Sequence, residues 1–287
     1  MQRLVSTATL PMAVGKAFFE YEGIYEALKQ LDVDGVELVF LPEWDQRWAP
    51  VTPTSADWRT TPKATPLEIA DMCLSLSISV PVVHLNRDIG TRLCSPDRED
   101  VLRGQNVLSE NLAAASKLNS EIGVLHLWDT YAESIDTDKL FERVTEVCDD
   151  YRIRLAIENI PISAVNYTVS DAWSQLCDIM PQHHGFTLDL NWCSLYDNFI
   201  ELTAHLARVL NVHVQGAVTT NSSGTRTMVP RVGRLDILDS LAKLCGMGYD
   251  RFATLELNRP TGLSDFEVAL GMIHSTISAS RRNGSLL

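Results

Sequence analysis

Four apolar runs in the second half of the sequence each stop at a side chain able to ligate a metal. RLAIENIP (residues 154–161) ends its run at Glu158, GFTLDLNW at Asp189, VLNVHVQG at His213 and FATLELNRP at Glu256. Leu155, Ala156 and Ile157 have the composition of a strand buried on both faces. A carboxylate directly after such a strand is costly unless something pairs with it. A single one reads as half of an ion pair. Four in succession, each where its strand stops, point to strand ends that converge.

The rest of the chain supplies the frame for that convergence. Strands are read at Leu4–Thr9, at Gly35–Val39 (GVELV, with Glu37), in VPVVHLN ending at His84, and in GVLHLW ending at His126. Helical spacing or capping signals place helices at Tyr21–Leu31, Pro66–Leu76 with Thr65 as N-cap, Pro96–Leu118 with Ser95 as N-cap, Asp138–Tyr151, and Ser170–Met180 with Ser170 as N-cap. Three more follow at Phe199–Arg208, Leu235–Met247 and Ser264–Ser280. Eight strand–helix pairs without a compositional break predict an α/β fold, a single-domain parallel (β/α)8 barrel over residues 1–280, with 281–287 a flexible tail. A doubly wound open sheet is the alternative, but no Gly-rich phosphate fingerprint follows strand one. In a barrel all strand C-termini open on one mouth, which brings the four side chains together.

Two segments stand apart. Leu41–Thr65 is long, irregular and rich in proline and tryptophan (Trp44, Trp48, Trp58), which suggests a lid over the mouth. Thr219–Arg234 is a polar loop carrying Arg226, Arg231 and Arg234. These could hold a phosphate; a solvated loop is the plainer reading.

The formal charge of −13 argues against a long phosphate-backbone footprint. Six cysteines form no CxxC, so a reducing compartment is expected. Neither a signal-peptide h-region nor a run of membrane-spanning length is found, and a cytoplasmic location is expected.

Three carboxylates and one imidazole make a mostly hard ligand set. It suits Mn²⁺, Mg²⁺ or Co²⁺, with Zn²⁺ admitted by the imidazole. Without a cation, three converging anions would repel one another strongly. Six-coordinate ions would keep two positions open for adjacent substrate oxygens.

The order ENIP, LDLNW, VHV, LEL along eight βα units resembles the xylose-isomerase-like TIM-barrel superfamily, over nearly the whole chain. Glu37 in GVEL and His84 also fit it. That superfamily includes sugar epimerases and isomerases, inosose-processing enzymes and zinc-dependent abasic-site endonucleases. The resemblance implies that Glu158, Asp189, His213 and Glu256 bind the metal and that Glu158 and Glu256 also shuttle protons, through a metal-stabilised enediolate. The expected activity is a divalent-metal-dependent sugar or polyol isomerase or epimerase. An inosose-type dehydratase, an abasic-site endonuclease-like metalloenzyme and a non-catalytic sugar-binding barrel are the rivals.

The departures are specific. The DxxH of many epimerases and endonucleases reads Asp189 to Trp192 here, and HxHD is reduced to His213-Val214-Gln215. The epimerases' substrate arginine has no match in QGAVTT, and the endonucleases' third zinc site lacks its histidines. The expected substrate contacts are His84, His126, Glu37, Trp44, Gln215 and Arg231, with His84 and His126 alternatively ligands of a second metal. Trp44, Trp48 and Trp128 could stack on a sugar face or simply pack. His183 and His184 precede strand six and are expected on the surface at the opposite end. The expected partner is a small-molecule sugar or cyclitol, with no nucleic acid and no membrane; a homo-oligomer is allowed for.

Overall fold

The computed structural model of the protein describes residues 1–17, 20–41, 64–128, 137–162 and 168–284. Eight parallel strands close into a barrel. They are β1 (Gln2–Ser6), β2 (Gly35–Val39), β3 (Val82–His84), β4 (Ile122–Leu125), β5 (Arg154–Glu158), β6 (Gly185–Asp189), β7 (Val209–Thr220) and β9 (Phe252–Leu257), which pairs with both β7 and β1. The strands are apolar without alternation because both faces are covered. Inside, Leu4, Val82, Ile122, Val124, Ala156, Leu210 and Phe252 pack on one another. Outside, Val83, Leu85, Leu125, Leu155 and Ile157 belong to the layer beneath the helices.

Those helices are α1 (Glu22–Leu28), α2 (Pro66–Ser75), α3 (Asp88–Cys94), α4 (Arg98–Lys117), α5 (Thr137–Tyr151), α6 (Val169–Ile179), α7 (Leu190–Tyr196), α8 (Phe199–Leu202), α9 (Ile237–Gly246) and α10 (Leu263–Gly284). Among the described residues, no helix is long and apolar enough to cross a membrane.

Strand register decides what faces inward. Partners across a parallel ladder share a face, and side chains alternate with a period of two. From Leu4 and Ala156 the pairings carry the inner face through Glu37, His84 and Glu158 to Thr187 and Asp189. Asp189 pairs with His213, His213 with Thr254, and Gln215 with Glu256. A bulge makes this work. Phe186 pairs with Val209 but Thr187 with Asn211, so Leu210 is the extra residue on β7. Without that insertion Asp189 would face Val212, and His213 would point out among the helices.

Several local expectations are corrected. Strand one is Gln2–Ser6 rather than Leu4–Thr9. Thr65 does cap α2, with a reciprocal Glu68 capping box. Ser95 is not the cap of α4; Asp97 is, accepting from the Glu99 N–H, while the Ser95 hydroxyl donates to Asp100. Thr168, not Ser170, caps α6, because Asp171 three residues on completes its box. Phe199–Arg208 is a single α-turn, α8, followed by a 3₁₀ helix. Short helices α3 and α7, directly after β3 and β6, had no counterpart in the sequence reading. The polar loop Thr219–Arg234 contains β8 (Arg226–Val229), antiparallel to the outer end of β7. The last helix continues past Ser280 to Gly284.

Candidate metal centre

His213 lies at the middle of a buried cluster. Its Nε2 faces both carboxylate oxygens of Glu37, at 3.0 and 3.1 Å. A carboxylate only accepts, so Nε2 carries the proton and donates. On the other side of the ring, Nδ1 lies 3.7 Å from Glu158 Oε1 and 3.8 Å from Asp189 Oδ2. Both distances exceed a hydrogen bond. His213 Nδ1 and Asp189 Oδ2 are buried, and neither has a hydrogen-bond partner among the described residues.

Asp189 is held from two directions. Asn159 brackets its backbone: Oδ1 accepts from the Asp189 N–H at 2.7 Å and Nδ2 donates to the Asp189 carbonyl at 3.1 Å. Its own Oδ1 caps α7, accepting from the N–H groups of Asn191 (2.6 Å) and Trp192 (3.0 Å). One oxygen is therefore spent on the helix and Oδ2 is left aimed at the cluster. Burial, with help from Glu158 and Glu256, pushes the Asp189 carboxyl up to about 7.

Glu158 also divides its oxygens. Oε2 accepts from His126 Nε2 at 3.0 Å and from His84 Nε2 at 3.3 Å. His84 Nδ1 faces the Leu85 carbonyl at 3.0 Å and must donate to it, so a proton on Nε2 as well makes His84 an imidazolium. Burial opposes that charge, but the hydrogen bond and charge of Glu158 raise His84 above the usual imidazole value. Burial dominates at His126 and lowers it, against the charge and hydrogen bond of Glu158. Burial likewise opposes ionisation of Glu158, yet the charges of His126 and His213 hold it well below the usual carboxylate range. At His213 burial is outweighed by Glu37, Glu256 and Glu158, which raise it well above the usual value. A β-carbon on Gly90 of α3 would sit 2.1 Å from the His126 carbonyl oxygen, so glycine there lets the helix press on the His126 backbone.

The four metal-directed residues are near one another but not in one tight set. Glu158, Asp189 and His213 offer ligand atoms within 4.8 Å of one another, and Glu256 does so with Glu37 and His213. His213 is the shared member. Glu256 Oε2 accepts from Gln215 Nε2 at 2.7 Å. A third grouping, His84, His126 and Glu158, reflects the two imidazoles on Glu158.

The expected substrate contacts separate. His126 is partly exposed, whereas Glu37 is fully buried, with His213 between it and Glu158 and Asp189. Gln215 touches Glu256 rather than standing free. Arg231 is exposed, and its backbone N–H donates to Asn191 Oδ1 at 2.9 Å. Trp128 is buried and donates to the Ile160 carbonyl, which is packing rather than a sugar platform. Trp44, Trp48 and the expected lid lie outside the described residues. His183 is exposed, as expected, but His184 is fully buried, its Nδ1 accepting from the Leu155 N–H at 2.8 Å. Asn159, Asn211 and Thr254 were not singled out from the sequence. For Asn211 a signal was present: Asn211, His213 and Gln215 put a polar side chain at every second position of an apolar strand.

Residues 25–274 match the family model described as xylose isomerase-like TIM barrel. Among solved structures, an L-ribulose 3-epimerase is 15% identical with a TM-score of 0.69, covering 100% of this chain and 98% of that one. A zinc-binding IolI protein is 15% identical with a TM-score of 0.64 over 98% of each chain. A D-allulose 3-epimerase from Methylomonas sp., solved with D-allulose, is 12% identical with a TM-score of 0.65 over 98% of this chain and 93% of that one. No curated protein matches the sequence.

Proposed function

This chain belongs to the xylose isomerase-like TIM barrel family, and from that premise we propose that it is a divalent-metal-dependent isomerase or epimerase acting on a sugar or polyol. The single observation that carries the reading is the pair of orphaned buried atoms, His213 Nδ1 and Asp189 Oδ2, beside Glu158 Oε1. Three ligand atoms converge without a hydrogen bond among them, a donor set that a divalent cation completes by displacing any proton held there. Glu158, Asp189 and His213 would hold the ion, with Glu256, also close to His213, as the fourth ligand. A bound divalent ion supplies Lewis acidity toward a substrate carbonyl, making the neighbouring C–H easier to deprotonate.

The chain's own residues account for the proton transfers. Glu158, kept ionised by its two imidazoles, can take a proton from the carbon next to a carbonyl. Glu256 is on β9, separated from β5 by β6 and β7, and approaches from another side. Gln215 fixes one of its oxygens, and the other is free to give or take a proton. His126 is partly exposed, and with its Nε2 proton donated to Glu158 its Nδ1 can accept from a substrate hydroxyl. The ketose epimerases among the similar structures support the substrate class.

The test is a panel of free ketohexoses, ketopentoses and keto-cyclitols, offered to metal-stripped protein and to protein resupplied with Mn²⁺, Co²⁺, Mg²⁺ or Zn²⁺. Interconversion at one carbon, present only with metal, is expected. Water loss from a keto-cyclitol would assign a dehydratase instead, and no turnover of any member with any metal would overturn the reading.

A further inference from the structure

A chain of buried hydrogen bonds runs into His213 from the barrel interior. The Thr254 hydroxyl donates to Asn211 Oδ1 at 3.0 Å. Asn211 Nδ2 donates to Glu37 Oε2 at 2.8 Å. His213 Nε2 then donates to Glu37. All four residues are fully buried. They come from three strands, β2, β7 and β9, whose register points each of them inward.

The polarity of this chain is forced at every step. A threonine hydroxyl can donate or accept, but Glu37 can only accept, so the Asn211 amide must turn its NH₂ toward Glu37 and its oxygen toward Thr254. With both of its oxygens accepting, Glu37 requires a proton on His213 Nε2.

Resting on the metal reading above, we propose that Glu37, braced by Asn211 and Thr254, is a positioning residue: it fixes the His213 tautomer so that Nδ1 is the nitrogen presented to the metal. The same contacts fix the ring plane, since a rotated imidazole would lose both Glu37 oxygens. A carboxylate behind a ligating histidine also makes the imidazole a stronger donor. This replaces the substrate-contact role expected for Glu37, because a fully buried carboxylate behind His213 cannot reach a sugar. It also separates Glu37 from Glu256, although both lie near His213.

The experiment uses the full chain, stripped of metal and titrated with Zn²⁺ by calorimetry. Nitrogen-15 NMR of the zinc-loaded protein reads which His213 nitrogen keeps its proton. The wild type is expected to show Nε2 protonated and Nδ1 bound to zinc. Glu37→Gln keeps the shape but loses the charge, and zinc affinity is expected to fall about 10–100-fold, the usual scale for removing such a partner. The Nε2 proton should also exchange faster with water. Thr254→Val replaces no ligand and leaves Glu37 in place, and a smaller loss in the same direction is expected; it decides the question should Glu37→Gln fail to fold. Zinc on Nε2 overturns the proposal. So does equal affinity in the wild type and Glu37→Gln, or, if only Thr254→Val folds, an unchanged affinity and proton exchange there. A wild type that binds no divalent metal overturns the metal reading itself and this inference with it.

Discussion

Asp189 Oδ2 and His213 Nδ1 face each other across 3.8 Å, and neither makes a hydrogen bond among the described residues. Asp189 carries a raised carboxyl, near 7 against an ordinary 3.8, with burial as the first cause. A raised carboxylate value means that the unfolded chain gives up its proton first. From about pH 4 to about pH 7 the Asp189 contribution to stability is therefore lost as pH rises. A divalent cation would remove that cost by pairing with the charge. Asp189→Asn keeps the Oδ1 cap on α7 and cannot ionise. Its metal-free form should be more stable than metal-free wild type above pH 7. Mn²⁺ or Zn²⁺ should stabilise only the wild type, by about 2.7 kcal/mol at one hundred times Kd. Thermal melts with and without metal read both effects; metal stabilisation of both proteins alike would remove Asp189 from the site.

Asn159 holds Asp189 by its backbone, and its side chain bridges the end of β5 and the start of α7. Asn159→Ala removes the acceptor of the buried Asp189 N–H. Urea unfolding should show a loss of about 1–3 kcal/mol. Metal affinity should fall as well, since Asp189 Oδ2 is no longer aimed. A stability loss with unchanged metal affinity would make Asn159 a purely structural clamp.

The barrel and its mouth were legible because two periodicities agreed. Apolar runs without alternation mark doubly covered strands, and Glu158, Asp189, His213 and Glu256 each follow one. The inward aim of His213 was expected from its place at a strand end, but the extra residue Leu210 that secures it was not legible, because a bulge leaves no mark in an apolar run. The contact of Glu37 with His213 was not legible for a related reason. It spans 176 residues of sequence and exists only because β2 and β7 face each other across the closed barrel. Short helices α3 and α7 were missed because seven residues hold too few turns for a helical period to show.

His184 offers a check at the other end of the barrel. Its Nδ1 accepts from the Leu155 N–H and must stay unprotonated to do so. Burial lowers it from 6.5 to about 4. A lowered imidazole contributes stability above its unfolded value, and that contribution is lost as pH falls from about 6.5 toward about 4. An NMR titration of the ring should find His184 neutral at pH 5.5, whereas exposed His183 offers the internal comparison. A His184 that charges near 6.5 would mean the bond to Leu155 is not maintained in solution.

The two-glutamate chemistry makes the sharpest demand on Glu158 and Glu256. Each is placed both to hold the ion and to move a proton, so replacing either with Gln confounds metal loss with lost proton transfer. Solvent exchange separates the two. In D₂O the wild type should incorporate deuterium at the carbon next to the carbonyl of its substrate. Glu158→Gln keeps a side chain that can still meet the two imidazoles, whereas Glu256→Gln keeps one that can still meet Gln215. Where such a variant retains metal, turnover should fall by ~10²-fold or more, the scale for removing a positioned acid or base. Exchange without turnover is expected in the variant that keeps the base for the substrate supplied, because the proton can still leave and return on one face. Running the reaction from the opposite epimer should reverse which variant keeps exchange. Turnover in the wild type with no deuterium incorporated would replace proton transfer by a hydride shift between adjacent carbons, and full activity in both metal-retaining variants would remove the glutamates from the proton path.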